Sequence, residues 1–324
     1  MTARADTTAH PDSAGRAEPA GADGSGLPRP RRSLSPSRAA DFKTCPLLYR
    51  FRTIDRLPER RSPDQVRGSL VHAVLERLFD LPADERTPQR AAELVEPAWH
   101  GLVELDPASA ELFESDPAGL AEFLASAEGL LGGYFAVEDP RRLEPAEREF
   151  LVEAVVDTDL VLRGYLDRLD VAPDGALRVV DYKTGGAPRA MFEARALFQL
   201  KFYALVLWRL RGTVPRVLRL LYLKDAEVLD FTPDEQDLVR FERTLIALRA
   251  AIERATAARD FRPAPSRLCD WCDHQARCPA FGNEPPPFPE LADPTAAAPV
   301  QVDPVPVEPG RLPRQTVGER PLTE

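Results

Sequence analysis

The chain has 324 residues, 44% of them hydrophobic, and a formal charge of −10. That is enough apolar material for one large domain or two ordinary ones and too much for a wholly disordered chain. No uncharged apolar run approaches the ~18–20 residues of a membrane helix, the run Met1–Gly26 lacks a secretory h-region, and four cysteines make no disulfide scaffold; a cytoplasmic chain without a membrane partner is expected.

Residues 1–32 are mostly Ala, Gly, Pro, Asp and Ser. Such a segment buries too little surface to offset its ordering entropy, and a disordered tail is expected. Residues 282–324 read the same way: eleven of these 43 positions are Pro, and the net charge of the segment is −4. One domain is therefore expected over 33–281. Its opening is basic, with ten Arg or Lys against four acids in residues 31–70. A local basic patch can hold phosphates under an acidic total, and it can equally be a solvated face.

In chain order, Pro36–Tyr49 reads as a helix with Ser35 as its N-cap and Pro36 at its first position. Gly68–Asp80 reads as an amphipathic helix, apolar at Val71, Val74, Leu75 and Leu78. Residues 85–137 read as helical with breaks at Pro107 and Pro117. The period then changes. Phe150–Val156, Val161–Val171 and Ala176–Tyr182 read as strands, with Asp174-Gly175 as a hairpin signal. Ala194–Arg211 is an apolar helix, Val217–Lys224 a strand and Asp234–Ala258 a long helix. This order predicts an α/β fold with a mixed central sheet.

Asp181 and Lys183 are two apart on one strand and share a face. Hairpin arithmetic sets Asp167 opposite Asp181 if the loop between the strands has three residues. A two-residue loop would turn Asp167 to the wrong face, so an odd-length loop or a bulge is expected. Two carboxylates and an ammonium at a strand end suit a hard divalent cation, Mg2+ or Mn2+, although Asp-x-Lys alone is also an ordinary ion pair. Only four of the 42 basic residues are lysines. His72 is an acceptable ligand for Mn2+, and Glu76, one turn on, is placed to orient it. Gln199 and Tyr203, at i and i+4 on an apolar helix, either satisfy each other in the core or face the metal site and hold a phosphate or a carboxylate.

Cys45, Cys269, Cys272 and Cys278 are all the cysteines. C-x2-C-x5-C with one remote partner is metal-ligand spacing, suited to Zn2+ or an iron–sulfur cluster. His274 is a rival ligand.

Taken together, Ser33–Cys45-Pro46, Gly68–His72, Gly164-x-x-Asp167-Arg, Asp181-Tyr182-Lys183-Thr-Gly185, Gln199-x-x-x-Tyr203 and the closing cysteine triplet resemble the RecB-family exonucleases of the PD-(D/E)xK superfamily. The resemblance is strongest to the iron–sulfur subgroup, which includes the AddB nuclease domain and CRISPR-associated spacer-processing nucleases. It implies a restriction-endonuclease-like core, a mixed sheet flanked by helices, with a helical insertion and a four-cysteine site joining its two ends. It further implies a metal held by His72, Asp167, Asp181 and the Tyr182 carbonyl. Lys183 would assist the attacking water, and Gln199 and Tyr203 would support the site and the strand. The four cysteines would hold a structural 4Fe–4S cluster, with Zn2+ as the alternative. The implied activity is a metal-dependent DNA exonuclease acting at single-stranded ends in repair. The alternatives are CRISPR spacer processing or a DNA-binding accessory subunit. No phosphate loop is present, so any helicase would be a separate partner.

Overall fold

The computed structural model describes residues 33–157, 159–187 and 193–290. Ser33–Leu34 forms a short strand, β1, followed by α1 (Pro36–Thr44). The Ser35 hydroxyl accepts from the Arg38 N–H and Pro36 opens the helix, as expected. The expected helix is broken at Cys45, whose extended backbone separates α1 from α2 (Pro46–Tyr49). A π-helical turn, Arg50–Ile54, follows.

Helix α3 (Pro63–Leu78) starts five residues before the expected Gly68. Ser62 and Gln65 form a reciprocal capping box and Pro63 occupies the first position, a start signal hidden in a charged stretch. Val71, Val74, Leu75 and Leu78 are all buried. The helical segment resolves into α4 (Pro88–Glu93), α5 (Val95–Leu105), α6 (Ala108–Glu111) and α7 (Pro117–Val137), with interruptions at Pro107 and before Pro117. By length and composition, α7 is the one helix among the described residues able to cross a membrane. Glu122 and Glu128 interrupt its apolar run, and Phe123, Ala127, Leu130, Leu131 and Tyr134 face the core.

The sheet then forms from β2 (Glu147–Val156), β3 (Leu160–Val171) and β4 (Leu177–Lys183), the long helix α8 (Glu193–Arg211), β5 (Val217–Tyr222), β6 (Glu227–Phe231) and α9 (Glu235–Ala258). Strand β3 is the hub. Antiparallel β2 takes one edge, and parallel β1 and antiparallel β4 share the other. Parallel β5 and antiparallel β6 complete a six-stranded mixed sheet. The expected α/β fold is the observed one. Strands β1 and β6 were not read from the sequence; β6 is an edge strand, exposed over most of its length, with no buried stripe to mark it.

Helices α8 and α9 pack on one face of the sheet and α3, α5 and α7 on the other, giving two cores. Helix α8 is buried nearly all round at Leu200, Phe202, Ala204, Leu205, Val206 and Leu207, as an apolar core helix should be. On the opposite face, a Cβ built on Gly133 would sit 1.8 Å from the Leu223 carbonyl oxygen. Backbone cannot yield there as a side chain would. Gly133→Ala is expected to cost about 3 kcal/mol, measured by urea unfolding; an unchanged midpoint would show that α7 does not seat this closely.

A third cluster joins α2 and the π-helical turn to Phe261. Residues 282–290, expected to belong to a disordered tail, pack onto it. Phe288 stacks on Phe261 with ring centroids 6.0 Å apart, and Arg50 donates to the Pro286 carbonyl. The expected tail 1–32 and the remainder of the expected tail 282–324, from 291 on, lie outside the described residues.

Candidate metal centre

The β3–β4 register runs from Arg168↔Val180 to Val171↔Leu177, and Ala172 N–H donates to the Ala176 carbonyl. The turn is therefore the three residues Pro173-Asp174-Gly175, the odd-length loop that the hairpin arithmetic requires. One step further, Asp167 falls opposite Asp181. There the ladder opens, and Asp167 Oδ2 instead accepts from the Tyr182 N–H at 2.7 Å.

The same count on the preceding hairpin brings in a residue not foreseen from the sequence. Strand β2 pairs Arg148 with Arg168 and Phe150 with Leu166, which sets Glu149 opposite Asp167. Glu149, Asp167 and Asp181 thus form a row of carboxylates across three neighbouring strands. Glu149 has φ +41, a left-handed backbone that is strained for a non-glycine residue within a strand.

His72 reaches this row from α3. Its Nδ1 lies 3.3 Å from Glu149 Oε1 and 3.7 Å from Asp167 Oδ2, and its Nε2 lies 3.1 Å from the Tyr182 carbonyl. The ligand atoms of His72, Glu149 and Asp167 all lie within 4.8 Å of one another. Glu76, expected to orient His72, does not do so: its backbone carbonyl accepts from Arg148, and the orienting carboxylate is Glu149 on β2.

Asp181 stands just outside that triad, in an ion pair with Lys183. Asp181 is 1% exposed, and neither of its oxygens has a hydrogen bond of normal geometry. Lys183 Nζ also donates to Gln199 Oε1 at 3.0 Å, and Gln199 Nε2 donates to Tyr203 Oη at 3.2 Å. Gln199 and Tyr203 thus continue a polar chain that ends on Lys183 and Asp181. Gly164 makes room for it, since a Cβ there would meet Tyr203 Cε1 at 2.8 Å.

The electrostatics are those of crowded acids. Burial, and then repulsion from Asp181, pushes Asp167 up to about 7 against the pull of His72. Burial opposes the charged form of His72, but Asp167, Glu149 and Asp181 outweigh it and hold the imidazolium up to about 9. Lys183 is raised as well, its pairing with Asp181 outweighing desolvation. A divalent cation relieves this kind of crowding. The buried Asp181 carboxylate and the His72–Glu149–Asp167 donor set fit a hard, oxygen-preferring ion with one imidazole ligand.

The four cysteines form no disulfide and line one largely apolar cavity. Cys45 Sγ accepts from the Ala264 N–H and Cys269 Sγ from the Ser266 N–H, both at 3.4 Å. No three of these sulfurs lie within 4.8 Å of one another. His274, the rival ligand, is buried with Nε2 on Glu59 at 2.9 Å.

Comparison with known proteins gives a family, a relative and similar solved structures. The family model described as the PD-(D/E)XK nuclease superfamily matches residues 33–279. The Gene 69 protein of Mycobacterium phage D29 is 25% identical over 288 residues, 78% of this chain and 97% of the phage protein. The crystal structure of SSO0001 aligns with 77% of this chain and 87% of its own at 13% identity, with a TM-score of 0.38.

Proposed function

This chain belongs to the PD-(D/E)XK nuclease superfamily, and we propose that within it the protein is a metal-dependent DNA exonuclease of the RecB type. The proposed substrate is a single-stranded DNA end, the setting is cytoplasmic DNA repair, and any unwinding comes from a separate helicase. The observation that carries the reading is the row of crowded carboxylates Glu149, Asp167 and Asp181, with His72 against it and Lys183 paired to Asp181. Burying so many acids together is costly unless a further cation shares them.

His72, Glu149, Asp167, Asp181 and the Tyr182 carbonyl are the groups we assign to Mg2+ or Mn2+. Bound there, the ion would polarise the scissile phosphate and lower the pKa of the attacking water. Lys183 has three donors. One goes to Asp181 and one to Gln199, which leaves one for the attacking water or the developing phosphorane charge. Tyr203 fixes Gln199, and Gln199 fixes Lys183. Tyr165, 57% exposed on β3 two residues before Asp167, offers an aromatic face to an unpaired base.

We assign the cysteine cavity to a structural 4Fe–4S cluster, the mark of the iron–sulfur subgroup. Tetrahedral Zn2+ held by the same four thiolates is the alternative, and metal analysis of the purified protein separates the two. We further propose that residues 33–281 form the nuclease domain proper, with 282–290 packed on its third cluster.

The test is degradation of end-labelled single- and double-stranded DNA with Mn2+ or Mg2+. Wild type should shorten the single strand. Lys183→Ala should lose about 10^2- to 10^3-fold in rate, as for removal of one transition-state donor, while still binding Mn2+. A fully metal-loaded wild type that cuts neither substrate would leave a DNA-binding module.

A further inference from the structure

Directly behind the row of carboxylates lies a second set of charges to which the reaction assigns no part. Arg168 follows Asp167, and Tyr182 follows Asp181. Alternation along a strand turns each of these side chains to the opposite face from its neighbour. Arg168 is 0% exposed. Its Nη1 donates to Glu138 Oε2 at 2.8 Å and to Tyr182 Oη at 2.9 Å. Its Nη2 donates to Glu138 Oε1 at 3.0 Å and to Asp170 Oδ2 at 3.2 Å. Arg178 pairs with the same Asp170 at 2.8 Å. Arg219 lies 3.6 Å from Glu138 and chelates Asp230. Three arginines and three carboxylates thus tie the end of α7 to β3, β4, β5 and β6 in a balanced network.

A buried network of this kind is rarely a better source of stability than apolar side chains of the same volume. What it supplies is geometric restriction. The backbone ladder between β3 and β4 stops at Arg168↔Val180, one residue short of the aspartates. Past that point, two links still join the strands around Tyr182: its N–H to Asp167 in front and its hydroxyl to Arg168 behind.

We propose that Arg168 is a positioning residue for the metal centre. By fastening Tyr182 to Glu138 and Asp170 on the far face, it sets how far β4 stands from β3 where the ladder has opened, and so sets the spacing of Asp167 and Asp181. The proposal rests on the reading of those aspartates as metal ligands. Removal of a supporting hydrogen bond of this kind weakens metal binding because the ligands no longer wait in place.

The experiment is calorimetric titration of the full chain with Mn2+, beside thermal melts in EDTA, for wild type, Tyr182→Phe and Arg168→Lys. Tyr182→Phe keeps the ring and the carbonyl and removes only the hydroxyl acceptor. Arg168→Lys keeps the charge and loses the fork. Both should melt cooperatively in EDTA, and Arg168→Lys should weaken Mn2+ binding about 10-fold, Tyr182→Phe by less. The double variant should bind no more weakly than Arg168→Lys, because both changes cut the same link. Tyr182→Phe that melts as wild type and binds Mn2+ as tightly as wild type overturns the proposal, whether or not Arg168→Lys folds. A wild type that binds no Mn2+ sinks the metal centre itself and the positioning role with it, a failure visible in the first titration.

Discussion

Replacing Asp181 with alanine is expected to cut the rate of phosphodiester hydrolysis by about 10^3-fold or more, while the metal-free protein melts at or above the wild-type temperature. The two effects have one origin. Asp181 is buried, paired with Lys183, and stands beside Asp167, which has Glu149 on its other side. Its repulsion is one cause that lifts Asp167 to about 7. Removing it relieves both the desolvation and the crowding. Lys183 loses an ion-pair partner but keeps Gln199 and some contact with solvent. A group that costs the apo fold and serves only the loaded one is the expected signature of a site selected for activity over stability. Retained hydrolysis would remove Asp181 from the reaction. A clear fall in melting temperature would show that its pairing with Lys183 is structural.

The second large effect is expected at Cys45, this time on stability. It is the only cysteine on the N-terminal side of the cavity, 224 residues from Cys269. Tying the chain across a loop of that length restricts the unfolded state by about 5 kcal/mol on the chain-entropy scale. Cys45→Ser should therefore lower the melting temperature far more than an ordinary surface change, with loss of bound metal and new protease cleavage within 259–290. Iron and zinc content, measured on wild type and variant, identifies the metal. A Cys45→Ser protein with wild-type metal content and melting would show that the triplet works without it and that the four-thiolate assignment is wrong.

Much of this site was legible before any coordinates. Asp167, Asp181 and Lys183 follow from strand alternation and one loop length, and the three-residue turn Pro173–Gly175 meets that condition. Glu149 was equally within reach. Val156 pairs with Leu160, so the preceding hairpin also has a three-residue turn, and the same count lands on Asp167. It was missed because Glu149 sits among charged residues at the start of β2, where no apolar alternation marks a strand. The error over Glu76 has a different cause. Helical spacing reports neighbours along a helix, whereas the partner of His72 comes from the sheet, which local periodicity does not see. The network around Arg168 was invisible for the same reason: it joins one helix end to four strands, and none of its contacts leaves a pattern in sequence.

The cysteine cavity also orders events in time. Every group around the carboxylate row lies between His72 and Tyr203, whereas the cavity waits for Cys278. On the ribosome, at about 5–20 residues per second, the sheet can assemble and meet metal seconds before the domain is fastened. A chain that ends before Cys269 would carry every one of those groups on an unfastened scaffold, and added protease is expected to cleave it faster than the full chain.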